Sequence, residues 1–150
     1  MTSKERFRPY AAVYVLLIRE GKIFIMRRFQ TGFQDGKYGL PAGHMEEKET
    51  VAGAALREAK EETGIDISED ALRVAHVQHR VNSDREYMDF FLLADTWNGE
   101  PENLEPEKCD DMRWVSLEAL PENMVASVQN GIENFQKGVL FSEFGADGRL

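Results

Sequence analysis

The stretch from residue 49 to residue 63 holds one glycine and no proline, is dense in alanine, and runs into Gly64 at the position of a helix stop. It is the clearest helix of the chain. Val51, Ala52, Ala55, Leu56 and Ala59 fall on one stripe, and their small average size suits close packing on a sheet. With about 100° of turn per residue, Glu58, Glu61 and Glu62 project within an arc of roughly 100° beside that stripe. The fold must therefore bury a short helix against a sheet while holding three carboxylates at its rim.

The remainder supplies the sheet. Residues 11–18 and 23–27 are apolar runs flanking a turn at Glu20 and Gly21, which predicts a hairpin. Residues 31–43, with four glycines and a proline, predict a loop. Residues 72–81 and 87–94 are rich in β-branched or aromatic side chains and are separated by Asn82, Ser83 and Asp84, the pattern of a second hairpin. Residues 98–111 carry two prolines and six acidic residues, an acidic loop before a short strand at 112–115. Residues 116–120 read as one helical turn closed by Pro121, and Met124, Val128, Ile132 and Phe135 space a second helix over 124–137. No internal repeat or low-complexity tract interrupts this order. With 42% apolar residues in 150, one core and a single domain over 1–150 are expected, and 30% charged residues fit a soluble globular chain.

A net charge of −9 disfavours nucleic-acid polymers and anionic membrane surfaces as partners. No run approaches the roughly 20 apolar residues of a membrane span. Lys4, Arg6 and Arg8 ahead of the run 11–18 imitate a secretion signal, but Arg19 to Lys22 contain no small-residue cleavage site and a second apolar run follows at once, so a buried hairpin is the reading. The single cysteine, Cys109, has no internal partner, which fits a reducing compartment, with the cytoplasm expected.

Like charges three and four apart on an exposed helix cost a few tenths of a kcal/mol per pair. Arg57 can reach Glu61, and Lys60 lies nearby, yet neither spans the acidic arc. A hard divalent cation would, since Mg²⁺ takes oxygen ligands and keeps water and substrate phosphate beside one or two carboxylates. The alternative is a solvated acidic face. Context decides between them. Gly43, Glu49, Arg57, Glu58, Glu61, Glu62 and Gly64 fall at the spacing G-x5-E-x7-R-E-U-x-E-E-x-G-U, with Ala59 and Ile65 at the apolar positions. With seven letters each near one in ten, such a match arises by chance about once in 10⁷ starting points.

This segment is the Nudix box, and the chain resembles the Nudix hydrolases, in particular the MutT-like nucleoside triphosphate pyrophosphohydrolases. The box covers 23 residues, and the strand order around it also fits that family's α/β/α sandwich with a mixed central sheet. The resemblance implies a loop-helix-loop in which Glu58, Glu61 and Glu62 bind divalent metal, Arg57 orients a carboxylate and Glu49 supports the site. It also implies Glu58 as general base or bridging ligand, and a metal-facing main-chain carbonyl at Ala42 or Gly43. The segment 104–114, LEPEKCDDMRW, resembles the loop that supplies a further ligand or base in several relatives, with Glu107 or Glu105 as its candidate. Ala59 stands where larger aliphatics are common, a departure that leaves metal binding undisturbed.

Arg27, Arg28 and Lys37, at a strand end and in the following loop, are candidates for the phosphates, as is His44 beside the box glycine. Tyr10, Phe29, Tyr38, Phe141 and Asn123 are candidates for holding a nucleobase, with core packing or ordinary surface charge as the alternative for each. His76 and His79 are an odd number apart on a strand, face opposite sides and do not suggest a transition-metal site. The expected activity is Mg²⁺-dependent cleavage of a nucleoside triphosphate, including an oxidised or noncanonical one, to monophosphate and pyrophosphate, with Mn²⁺ as a substitute ion. The rival substrate is a nucleoside diphosphate sugar or another X-linked diphosphate. The proline and the tyrosine that mark the family's ADP-ribose and dinucleoside polyphosphate specialists are both missing around Val81. A non-catalytic nucleotide-binding regulator is disfavoured by the complete set of box carboxylates. A plain interaction protein with an acidic helix leaves Gly43, Glu49 and Gly64 unexplained. The expected partner is thus a small nucleotide, and homodimers are frequent in similar proteins although no feature here fixes an interface.

Overall fold

A computed structural model describes residues 4–145. Strands β1 (Tyr10–Arg19) and β2 (Lys22–Arg28) are joined through Glu20 and Gly21, both at positive φ (53° and 74°), the backbone of a tight twisted hairpin turn. Beyond the pair Ile18↔Ile23, β1 parts from β2. Its N-terminal half pairs antiparallel with β4 (Ala42–His44), and its length pairs parallel with β6 (Glu86–Ala94). β2 pairs with the two-residue β3 (Tyr38–Gly39) and with β7 (Cys109–Ser116), while β6 continues through antiparallel β5 (Leu72–Val81) to parallel β8 (Phe141–Gly145). The sheet is therefore mixed, with the order β3-β2-β1-β6-β5-β8.

Alternation along β1 and β2 sorts the core into two layers. Val13, Val15 and Leu17 with Phe24 and Met26 face the helix α1 (Val51–Thr63), meeting it through Ala54, Ala55 and Ala59. Leu16, Ile23 and Ile25 point the other way, onto α2 (Ala126–Gln136) through Val128 and Ile132. Leu16 and Leu17 are both fully buried, each contributing about 1.5–3 kcal/mol by leaving water. Both faces being covered by helices, the architecture is the α/β/α sandwich expected.

α1 starts where Thr50 caps it: the Thr50 hydroxyl accepts from the Gly53 N–H at 2.9 Å, an interaction typically worth about 1 kcal/mol. It stops at Gly64, whose φ of 79° turns the chain left-handed while its N–H donates to Lys60 O. α1 packs against β4 and β1, which brings Glu62 of its last turn to the Ala42 N–H at the start of β4.

Several elements differ from the sequence expectation. Residues 31–43 are not all loop, since they contain β3 and the start of β4. β7 begins at Cys109 instead of residue 112, because Arg28 at the bulged end of β2 still pairs with Cys109. Residues 116–120 make a turn, closed by the Ala119 N–H on Ser116 O, and no helix. α2 starts at Ala126 because Met124 bridges Tyr38 and the Val125 N–H donates to Tyr38 O, which holds Val125 extended. β8 was not expected at all. His76 is buried and His79 half-exposed on opposite sides of β5. No helix among the described residues is long and apolar enough to cross a membrane.

Candidate active site

A cleft of about 890 Å³ opens where α1 meets β1 and β4. Glu58, Glu61 and Glu62 of α1, Gly43 and His44 of β4, and Glu105 of the acidic loop line one part of it. Arg27, Arg28 and the loop residues Thr31 and Phe33 line another, and Tyr14, Arg80, Tyr87, Ser127 and Val128 a third.

The three helix carboxylates are not equivalent. Glu58 is held by Arg57, whose Nη1 donates to Oε1 at 2.8 Å, and its side chain is only 12% exposed. Glu62 turns under the β3–β4 connection, where the Ala42 N–H donates to Oε2 at 3.1 Å. Glu61 stays at the rim, 53% exposed, 3.4 Å from Arg57 Nη1. Arg57 also grips Glu49 with two parallel bonds, Nε to Oε2 at 2.7 Å and Nη2 to Oε1 at 3.0 Å, and donates from Nη2 to the His44 carbonyl at 3.1 Å. One guanidinium thus ties the loop before α1, strand β4 and the helix carboxylates together. Gly43 leaves room for the Glu58 carboxylate: a Cβ there would lie 2.0 Å from Glu58 Oε1.

The electrostatics follow from this packing. Burial pushes Glu62 well above the usual carboxylate range, with the neighbouring charge of Glu58 adding to it and the Ala42 N–H opposing it. Burial also raises Glu58, against the pull of Arg57. Glu49 moves the other way, down to about 2, because the Arg57 fork and the Glu46 N–H both favour its charged form. Glu105 adds its negative charge to both Glu58 and Glu62.

The donor set suits a hard divalent cation. The groups are carboxylate oxygens, partly withdrawn from water and mutually repelling. Oε2 of Glu58 and Oε1 of Glu62 have no protein donor among the described residues, so they are available as ligands. As placed, no three acidic, histidine or cysteine side chains among the described residues close around one point, since Arg57 draws Glu58 and Glu61 toward itself.

The other sequence candidates scatter. Arg28 and Arg27 line the cleft, Arg28 anchored on Phe33 O and Thr31 Oγ1, and Arg27 on Asp110 at 2.7 Å. His44 lines it too and stacks on Tyr87, with ring centroids 5.8 Å apart and planes at 16°. Lys37 and Glu107 are exposed and do not line the cleft, whereas Glu105 does. Tyr38 is buried, its hydroxyl donating to Asp111, and Asn123 donates to Gly36 O, so both brace the loop after β2. Tyr10 packs behind His44 and Tyr87, Phe29 is tied by its N–H to Lys108 O, and Phe141 sits on strand β8; none of the three lines the cleft.

Tyr14, Arg80, Tyr87 and Ser127 are cleft residues absent from the sequence expectation. A signal was present: His76, Gln78 and Arg80 place polar groups with period two on a face that burial alone would make apolar.

The family description of the NUDIX domain matches residues 8–135. A protein of Danio rerio named oxidized purine nucleoside triphosphate hydrolase is 29% identical over 111 residues, covering 71% of this chain and 66% of that protein. Phosphatase NudJ of Escherichia coli K12 is 29% identical over 114 residues, covering 76% and 72%. Among solved structures, a MutT NUDIX hydrolase from Burkholderia pseudomallei superposes with a TM-score of 0.78 at 25% identity, covering 85% of this chain and 98% of that one. A MutT protein from Methanosarcina mazei Go1 shares the fold, with a TM-score of 0.75 at 22% identity over 89% and 97% of the two chains.

Proposed function

The chain belongs to the Nudix family, and we propose that it is a Mg²⁺-dependent pyrophosphohydrolase that cleaves a nucleoside triphosphate, oxidised or noncanonical ones included, to monophosphate and pyrophosphate. The observation that carries this reading is that Glu58, Glu62 and Glu105 line one cleft, burial raising the proton affinity of the first two.

Glu58, Glu61, Glu62 and Glu105 are the residues that would hold the ion, with the Gly43 or Ala42 carbonyl beside them. When bound, the ion neutralises phosphate charge and acidifies a water. Glu58 is the candidate base, because its raised proton affinity brings it closer to the working pH and Arg57 fixes the carboxylate at Oε1 while leaving Oε2 open. Arg57 is a positioning residue, and Glu49 positions Arg57 in turn. Arg28 and Arg27 offer cations to the phosphates from the facing wall, with His44 as a further donor. The relative named for oxidised purine nucleoside triphosphates supports this substrate class. A reducing cytoplasm is supported by the buried, unpaired Cys109.

The test is a screen of nucleotides and nucleotide sugars with Mg²⁺, products identified, against the same screen in chelator. Monophosphate plus pyrophosphate, lost in chelator, is the expected result. Monophosphate plus sugar phosphate would select a diphosphate-sugar hydrolase, release of orthophosphate a phosphatase of the kind the bacterial relative is named for, and turnover unaffected by chelator would overturn the metal assignment.

A further inference from the structure

Besides the carboxylates of α1, residues of β1, β5 and β6 line the cleft, among them an arginine that no step above uses. The Arg80 side chain is 92% withdrawn from solvent, being 8% exposed, and is clamped by Asp89, which is not exposed at all. Nε donates to Asp89 Oδ2 at 2.7 Å and Nη2 to Oδ1 at 3.0 Å; Nη2 also approaches the Tyr14 hydroxyl at 3.4 Å. The clamp is itself supported, since Gln78 Nε2 donates to Asp89 Oδ2 at 3.0 Å and Asn130 of α2 donates to Gln78 Oε1 at 2.6 Å. The guanidinium lies 3.9 Å from the Tyr87 ring centroid, and that ring stacks on His44. Arg80 therefore has one orientation.

One nitrogen is left over. Nη1 makes no hydrogen bond among the described residues, which leaves it as the one guanidinium nitrogen with no donation assigned there. The surface that Arg80 lines is the cleft. The charged partner of Arg80 is Asp89, whereas Glu58 and Glu62 respond to Arg57, Arg28 and Glu105.

The pairing also selects the ligand chemistry. A guanidinium whose charge is cancelled by a buried carboxylate has little net attraction for a phosphate, but it keeps directional N–H donors. Such donors suit a neutral acceptor, and the carbonyl edge of a purine is the acceptor arginine most often reads. Taking the substrate to be a nucleotide, as the proposed function does, we propose that Arg80 is a specificity-determining residue that donates from Nη1 to a carbonyl oxygen of the base, with Asp89 as its positioning residue.

Inosine and adenosine triphosphates form the decisive pair, because their bases differ only by a carbonyl against an amino group and by the proton on the adjoining ring nitrogen. The wild-type chain should favour the inosine compound by about tenfold in kcat/KM, the upper end for one well-placed hydrogen bond. Arg80→Lys keeps a cation opposite Asp89, so it should melt as one transition, and its preference should fall toward unity. A merely structural role would lower both substrates alike and leave the ratio untouched, which would overturn the proposal. Loss of affinity for inorganic pyrophosphate equal to the loss for nucleotides would mark a phosphate contact instead and would equally overturn it. Binding of inosine and adenosine monophosphates, measured by calorimetry, separates this inference from the hydrolase reading. The same preference in binding without turnover sustains the role of Arg80 while removing the activity, and binding with no preference removes the role of Arg80 whatever the activity.

Discussion

Gly43 and Glu58 share a space that only one of them can fill. A methyl group on Gly43 would stand 2.0 Å from Glu58 Oε1 and 2.8 Å from Oε2, far inside contact distance. The obstructing atoms are the end of a flexible side chain, so Gly43→Ala should fold and should displace the carboxylate instead of the backbone. Turnover is expected to fall by about 100-fold, the scale of losing a positioned base, while the melting temperature shifts little. Unchanged kinetics would show that Glu58 is not needed where it stands.

Glu62 gives a stability prediction with a definite sign. Burial raises its folded-state pKa above the ordinary 4.5, so the folded chain holds that proton more tightly than the unfolded chain does. Below about pH 4.5 the carboxyl is neutral in both states and carries no penalty. As pH rises through the raised folded value, the metal-free protein loses stability. Glu62→Gln keeps an acceptor for the Ala42 N–H and removes the charge. In chelator, the variant should melt above the wild type at pH 8 and level with it near pH 4.5. In Mg²⁺ the wild type should gain more than the variant, which should also lose turnover. A gap between the two proteins that does not depend on pH would contradict the assignment.

The helix and its carboxylates were legible because every part of their geometry is local. A cap at Thr50, a left-handed stop at Gly64 and a fixed angular step place Glu58 and Glu62 without reference to the rest of the chain. What was not legible depends on distant partners. Tyr38–Gly39 and Ala42–His44 are too short to show a period, and Phe141–Gly145 becomes a strand only because β5 offers it an edge. Arg80 and Asp89 meet diagonally across the β5–β6 hairpin, since Arg80 stands opposite Tyr87 and Asp89 opposite Gln78, so counting outward from the turn does not pair them directly. The choice between Glu105 and Glu107 is likewise made by a turn.

That turn is specific. The Glu105 carbonyl accepts from the N–H groups of Lys108 and Cys109, and its own N–H donates to Asn103 Oδ1, which fixes the backbone and sends the Glu105 side chain into the cleft. Glu107, two residues on, is exposed. Glu105→Gln should therefore lower turnover by about tenfold or more, the effect expected of a ligand or its support, and Glu107→Gln by much less. Steady-state rates over a Mg²⁺ titration check this, since a metal-site role for Glu105 also raises the ion concentration needed for half activity. Equal effects of the two substitutions would return the loop to a solvated acidic surface.

The Arg57–Glu49 fork supplies the opposite pH signature. The guanidinium holds Glu49 down at about 2, so the pair stabilises the fold fully above the ordinary carboxylate value of 4.5 and loses that contribution as pH falls toward 2. The wild-type advantage over Glu49→Gln in melting temperature should accordingly be constant from pH 8 to pH 5 and shrink below it, in a window distinct from that of Glu62. Arg57→Lys tests the geometry separately from the charge: an ammonium cannot make both bonds to Glu49 while holding Glu58 Oε1 and the His44 carbonyl. The lysine variant should lose about 10- to 100-fold in turnover, as removal of supporting contacts does elsewhere, with its melting transition intact. Full activity in that variant would mean that Arg57 supplies charge alone, and that the alignment of Glu58 comes from the packing of α1 against Gly43.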